Sequence, residues 1–118
     1  MPRRLLIVDD HAGFRRSAGH HLNRHGWEVV GHAADGASAL AEVARLSPDV
    51  VLLDVNLPDR SGLAVARRLR RDWPEVAVVV ISTHGREDYA EIAAASGARG
   101  FLSKVDLSGP ALDRVLRA

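Results

Sequence analysis

The sequence predicts an α/β fold: a doubly wound, five-stranded parallel sheet with helices on both faces. Two observations predict it. First, Leu5-Leu6-Ile7-Val8, Val50-Val51-Leu52-Leu53 and Val76-Ala77-Val78-Val79-Val80-Ile81 are apolar without polar alternation. Such runs fit strands buried on both faces, as in a parallel sheet covered by helices. Second, stretches with helical spacing separate the runs in strict alternation, which places helices on the faces and limits the topology to a few right-handed windings.

The elements follow in order. Leu5 to Val8 is the first strand and ends at Asp9-Asp10. His11 to His25 reads as a helix, because Phe14, Ala18 and Leu22 recur at i, i+4 and i+8, with Arg15, Arg16 and Arg24 off that face. Gly26 suits its C-terminal stop. Trp27 to Ala33 reads as a strand around Val29 and Val30. Asp35-Gly36 is a turn signal with Asp35 as N-cap. Ala37 to Leu46 follows as a helix with Leu40, Val43 and Ala44 inward, broken at Ser47-Pro48.

The central strand, Val50 to Leu53, stops at Asp54. Asn56, Pro58, Asp59, Ser61 and Gly62 then form a turn-rich loop. A helix from Leu63 to about Asp72 carries Val65, Ala66 and Leu69 on its apolar stripe and ends before Pro74. The Val76 to Ile81 strand ends at Ser82-Thr83. Glu87 to Ser96 reads as a helix containing Tyr89, Ile92 and Ala93, closed by Gly97. Arg99 to Ser103 is a last short strand ending at Lys104. Leu107 to Ala118 is the final helix, with Pro110 in its first turn and Leu112, Val115 and Leu116 inward.

A chain of 118 residues supports one domain with one core, and its 47% apolar content is ordinary for a folded protein. The net charge of +1 is too balanced to signal nucleic-acid or membrane binding by bulk charge. With no cysteine, disulfides and thiolate metal sites are excluded. The run at residues 5 to 8 meets Asp9 and Asp10 at once and does not read as a signal peptide. No apolar run approaches the roughly 20 residues of a membrane span. A single soluble, cytoplasmic domain over residues 1–118, without membrane partners, is the expectation.

Parallel strands place their carboxyl ends on one edge, where ligands bind in open α/β sheets. That edge gathers Asp9, Asp10, Asp54, Ser82 and Lys104. Three clustered carboxylates repel one another, and a divalent cation relieves the conflict. Oxygen-only ligands at an open site favour magnesium. Lys104 and the Ser82 hydroxyl complement the oxygens of a phosphoryl group. Because an aspartate can be the nucleophile and give an acyl phosphate, the chemistry indicated is phosphoryl transfer onto a carboxylate.

Val8-Asp9-Asp10, Leu53-Asp54-Val55-Asn56-Leu57-Pro58 with Gly62, Ile81-Ser82 and Phe101-Leu102-Ser103-Lys104 together resemble the receiver domain of two-component response regulators over nearly the whole chain. The resemblance implies a flavodoxin-like, CheY-like sheet in the order 2-1-3-4-5. It implies that Asp54 is the phosphoacceptor, supplied by a sensor histidine kinase, and that Asp10, Asp54 and the Asn56 carbonyl ligate Mg2+ directly while Asp9 acts mainly through water. Ser82 would bind the phosphoryl group and move with it, Lys104 would pair with a phosphoryl oxygen, and Phe101 would hold the aromatic switch position. Asn56 and His84 would tune the lifetime of the acyl phosphate. Homodimer formation is compatible with it.

Asp10-His11-Ala12-Gly13-Phe14-Arg15 further resembles the start of NarL/FixJ-type regulators, which carry a C-terminal helix-turn-helix DNA-binding domain. Either an output domain of that kind lies beyond this chain, which the likeness favours and which makes transcription the controlled output, or the receiver stands alone; the domain alone is not expected to bind nucleic acid. Departures from the family pattern are Val105 after Lys104 instead of proline, Ser82 instead of the commoner threonine, and Thr83 where a smaller residue is usual. A cis bond before a non-proline residue costs about 2.5–4 kcal/mol, so Lys104-Val105 is expected to be trans.

Other residues read more plainly. His21 and His25, at i and i+4, have metal-pair spacing, but no carboxylate or third histidine is fixed beside them, and they read as surface histidines. Arg67, Arg68, Arg70 and Arg71 read as a solvated helix face, with a patch for an acidic partner as the alternative. Trp27 and Trp73 are expected at the margins of the core. A phosphatase of the haloacid dehalogenase type also uses an aspartate after a buried strand, but it needs a second aspartate two residues on, where this chain has Asn56. A pseudo-receiver acting by contact alone would have lost some of the acidic site, which is complete. A flavodoxin would carry a Ser/Thr/Gly-rich phosphate loop after the first strand, and none is present.

Overall fold

A computed structural model describes residues 3–83 and 90–117. Five parallel strands, β1 (Arg3–Val8), β2 (Trp27–Ala33), β3 (Val50–Asp54), β4 (Ala77–Ser82) and β5 (Gly100–Ser103), form one sheet in the order β2-β1-β3-β4-β5. Between and after them run α1 (Ala12–Asn23), α2 (Gly36–Leu46), α3 (Gly62–Asp72), α4 (Ala90–Ala95) and α5 (Gly109–Arg117). The chain steps one way from β1 to β2, then reverses to β3, β4 and β5. With right-handed crossovers, that reversal sends the helices before and after it to opposite faces.

Alternation along each strand fills two cores. Leu6, Val8, Val51, Leu53, Val78 and Val80 join Ala39 and Val43 of α2, Val65, Ala66 and Leu69 of α3, Ala93 of α4, and Phe101. Leu5, Ile7, Val50, Leu52, Val79 and Ile81 join Ala18 and Leu22 of α1 and Leu112 and Leu116 of α5. Each buried Leu, Ile or Val contributes about 1.5–3 kcal/mol relative to exposure, so the sheet is held from both sides. Trp27 closes one edge under the Arg3 guanidinium, 4.4 Å from the ring centroid, and Trp73 packs half-buried at the rim of the other core.

Most predicted elements are present with shifted ends. Asp35 caps α2, accepting from Ser38 N–H at 2.8 Å. Gly26 and Gly97, both at φ +90°, follow α1 and α4 in the left-handed conformation that glycine adopts without strain. His11 is the residue before α1, not part of it, and α1 stops at Asn23. Ala44 is exposed rather than inward, and the wholly buried Ala39 takes its place, because α2 meets the sheet through Ala39 and Val43. A 3-10 turn, Lys104–Asp106, precedes α5, which starts at Gly109 instead of Leu107. The Lys104-Val105 bond is trans, and Val105 is 88% exposed. The α4 expectation covering residues 87–89, with Tyr89, lies outside the described residues, as does His84.

Candidate functional site

The sheet reverses its winding between β1 and β3, so the loops leaving those strands diverge and open a cleft at their carboxyl ends. Leu5 pairs with Val50 and Val8 with Leu53, which brings Asp9 and Asp54 to adjacent strand ends. Asp9 is held there by its own N–H, which donates to the Ala33 carbonyl at 3.0 Å and extends the β1–β2 ladder by one rung. Asp54 pairs with Ile81 of β4, one residue before Ser82, and Ser82 pairs with Ser103 of β5, one residue before Lys104. Register alone therefore delivers the hydroxyl and the ammonium to the edge that carries the carboxylates.

Backbone geometry fixes the Asp54 side chain from below. Asn56 N–H donates to Asp54 Oδ1 at 3.0 Å, and Gly62 N–H returns to the Val55 carbonyl at 2.7 Å. A Cβ on Gly62 would lie 1.9 Å from the Asp54 carbonyl oxygen. Only glycine lets the start of α3 come this close, and the tight β3–α3 loop depends on it. Asn56 itself is at the exposed rim, bridged to Ser61.

Asp9 is fully buried, Asp54 is 3% exposed, and Asp10 faces solvent. Lys104 Nζ stands 2.6 Å from Asp9 Oδ2 and 3.4 Å from Asp54 Oδ2. It also lies 4.6 Å from the Phe14 ring centroid, so α1 supplies a third attraction for the one ammonium. The asymmetry of the two ion pairs separates the carboxyls. Burial pushes Asp9 up, but hydrogen bonds from Lys104 and His11 outweigh it and hold Asp9 below the ordinary carboxylate range. Burial also pushes Asp54 up; Asn56 N–H opposes this, the Asp9 charge adds to it, and the more distant Lys104 does not cancel it, so Asp54 stays raised.

The structure thus brings together Asp9, Asp10, Asp54 and Lys104, with Ser82 wholly buried beside them at the end of β4. Phe101 sits further back, 8% exposed, in the core with Val80 and Ala93. Thr83 is exposed.

Three contributors escaped the sequence reading. His11 Nδ1 lies 2.9 Å from Asp9 Oδ1 and 3.2 Å from Asp10 Oδ1, and the His11 N–H donates to Asp9 Oδ1 at 2.8 Å. Arg15 Nη1 donates to the Asp9 carbonyl at 2.5 Å. Asp59, in the β3–α3 loop, accepts from Gly36 N–H at 2.7 Å and Ala37 N–H at 3.0 Å, tying that loop to the start of α2. Adjacency to the acidic pair was the available signal for His11; nothing local marked Asp59.

Ligand atoms from Asp9, Asp10, His11 and Asp54 all lie within 4.8 Å of one another, so the cluster can hold a metal ion. The donor set fits a hard divalent cation: carboxylate oxygens predominate, and Asp10 keeps the site open to water. His21 and His25 have ring centroids 4.5 Å apart, but among the described residues no third ligand joins them.

Residues 5–109 match the response regulator receiver domain family. The chain is 37% identical over 101 residues to the transcriptional regulatory protein DegU of Brevibacillus brevis, covering 85% of this chain and 43% of that protein. It is 31% identical over 118 residues to the chemotaxis protein CheY of Bacillus subtilis, covering 100% of this chain and 95% of that protein. The signal receiver domain of the response regulator NarL from Mycobacterium tuberculosis superposes with a TM-score of 0.85 at 34% identity, covering 97% and 96% of the two chains. This chain spans less than half the length of DegU, whereas it spans nearly all of CheY. With the fold, the acidic strand ends and these likenesses in agreement, the chain belongs to the response regulator receiver domains of NarL type, phosphoacceptor switches served by phosphodonors such as histidine kinases.

Proposed function

We propose that Asp54 is the phosphoacceptor, that a sensor histidine kinase is its donor, and that Mg2+ is the ion held by Asp10, Asp54 and the Asn56 carbonyl, with Asp9 acting through water. The observation that carries this reading is the position of Asp54: buried at a central strand end, 3.4 Å from Lys104 Nζ and beside the acidic pair. An Asp54 carboxylate oxygen attacks the phosphorus of the donor phosphohistidine. The P–N bond breaks, the imidazole leaves, and an acyl phosphate remains. A bound divalent ion offsets the charge of the phosphoryl oxygens.

Lys104 then transfers its attraction from the carboxylates to a phosphoryl oxygen, and the Ser82 hydroxyl donates to another. Movement of Ser82 alters the packing beside Phe101, which relays the state to the surface around α4, β5 and α5. Asn56 at the rim, and His84, set how fast water reaches the acyl phosphate. The chain acts on its own phosphoryl group and turns over no other substrate. Residues 1–118 form one receiver domain, located in the cytoplasm, that can pair as a homodimer. Transcription is the output, as the DegU relative's name suggests, and this domain alone is not expected to bind DNA specifically. Among the described residues no helix is long and apolar enough to cross a membrane.

Intact mass spectrometry after incubation with acetyl phosphate and Mg2+ tests the assignment. Wild type is expected to gain one phosphoryl group, and Asp54→Asn none. A phosphorylated Asp54→Asn protein would place the acceptor elsewhere.

A further inference from the structure

Between α2 and α3 the surface sinks into a groove of about 500 Å³, on the side of the sheet away from α1 and α5. Every charged side chain that lines it is an arginine: Arg60, Arg67, Arg68 and Arg71. The floor between them is apolar, with Leu40 of α2 and Ala64 of α3 half-buried. Helical spacing explains the grouping. Ala64, Arg67, Arg68 and Arg71 follow one another at three- and four-residue steps on one side of α3.

These charges are not cancelled from within the groove. Asp59 and Asp72 stand at its flanks. Arg60 Nε lies 3.2 Å from Asp59 Oδ2, while Arg68 Nε and Arg71 Nε share Asp72 at 2.5 and 3.0 Å. Arg67 has no ion pair or hydrogen bond among the described residues. Four guanidiniums thus face two carboxylates, in a chain whose net charge with neutral histidines is only +1. Asp59 is also engaged by the N–H groups of Gly36 and Ala37. Pairing through Nε leaves the terminal nitrogens of Arg60, Arg68 and Arg71, which can grip a carboxylate in parallel, without partners among the described residues. Arg60 is seated in advance. A Cβ on Gly36 would lie 2.6 Å from Arg60 Cδ, so the glycine leaves room for the Arg60 stem against the start of α2.

We propose that this groove docks an acidic protein segment in which an aliphatic side chain sits between carboxylates. The floor takes the aliphatic side chain, and the terminal guanidinium nitrogens take the carboxylates in charge-assisted hydrogen bonds. Charge decides the class of partner. Two carboxylates cancel the surplus in the groove. A nucleic-acid strand brings a charge with every nucleotide, continues past the groove towards Asp59 and Asp72, and meets no aromatic lining residue on which a base could stack. The site uses neither the acidic cluster nor a metal, so it stands independently of phosphoryl transfer.

Fluorescence anisotropy at low salt, with a short dye-labelled peptide in which glutamates flank a pair of leucines, tests the proposal. Wild type is expected to bind it, and Arg67→Gln/Arg71→Gln to bind about tenfold more weakly. Arg16→Gln/Arg114→Gln removes two exposed arginines of α1 and α5, on the opposite side of the sheet, and is expected to change affinity less than about twofold. Serine in place of the leucines is expected to weaken binding about fivefold. Circular dichroism checks that both double variants remain folded, and peptide-induced NMR shifts are expected in α2 and α3 but not in α1 and α5. Equal losses in the two double variants would reduce the effect to bulk charge and overturn the proposal. So would no binding, equal affinity for the serine peptide, or an oligonucleotide of the same charge that binds as tightly. Self-association of wild type that Arg67→Gln/Arg71→Gln abolishes would assign the groove to a second copy of this chain instead.

Discussion

Lys104 and Asp54 carry opposite burdens in the acidic cluster. Lys104 is the ammonium facing both buried carboxylates, and removing it leaves their charges uncompensated. Lys104→Met is expected to destabilise the fold by roughly 3 kcal/mol in urea denaturation, with Mg2+ narrowing the gap to wild type. A loss that is the same with and without Mg2+ would show that Lys104 acts by packing alone. Asp54 runs the other way. Its folded pKa lies above the ordinary value of 3.8 because burial and the Asp9 charge disfavour the anion. Its contribution to stability is therefore fully present below 3.8 and lost as pH rises through the raised folded value. Asp54→Asn keeps an acceptor for Asn56 N–H and removes the charge. Without divalent ions it is expected to be more stable than wild type at pH 7, the advantage shrinking as the pH falls towards 3.8. Thermal melts across that range check the sign; a variant less stable at neutral pH would mean that Lys104 already neutralises Asp54.

Among the elements, the β3–α3 loop does most to shape the site. Gly62 lets α3 begin directly under the Asp54 carbonyl, where a Cβ would stand 1.9 Å from that oxygen. The nearest atom is backbone, so no side chain can swing aside. Gly62→Ala is expected to cost roughly 3 kcal/mol, measured by chemical denaturation, and to slow phosphorylation because the strand end itself must shift. An alanine variant with wild-type stability would show that the loop relaxes without moving Asp54. The same loop reaches α2 through Asp59, whose carboxyl is held below its usual range first by Gly36 N–H, so hydrogen bonds tie the start of α2 to the loop that leaves the acceptor strand.

Across the whole molecule, the question is how a phosphoryl group on one edge is felt on a distant face. Phosphorylation places about −1.5 to −2 charge on Asp54. Ser82 lies between that edge and the core that holds Phe101, one strand over. Phe101 packs inward, 8% exposed, and the signal is expected as a shift in the population of that packing. Comparing NMR spectra of wild type and Ser82→Ala, each with and without beryllofluoride, tests the link. Wild type is expected to show shifts around β5 and α5 that Ser82→Ala lacks. Equal shifts in both would show that Ser82 does not couple site to surface.

The sequence by itself determined the alternation of buried strands and helices, and with it the five carboxyl-end positions: Asp9, Asp10, Asp54, Ser82 and Lys104. Those are local facts, since an unbroken apolar run that stops at a polar residue already says which strand end meets solvent. Helix faces were legible where the stripe was large and regular, as at Val65, Ala66 and Leu69 in α3. They were not legible in alanine-rich α2, where Ala39 and Ala44 are chemically alike and only the docking angle buries one and exposes the other. Tertiary structure alone decided how the charges divide. Whether Lys104 stands closer to Asp9 or to Asp54, which carboxyl is raised, and which imidazole enters the cluster depend on strand register and helix entry. Those relations join residues up to 95 positions apart in the chain, from Asp9 to Lys104, and electrostatic interaction follows distance in space, which local sequence does not encode.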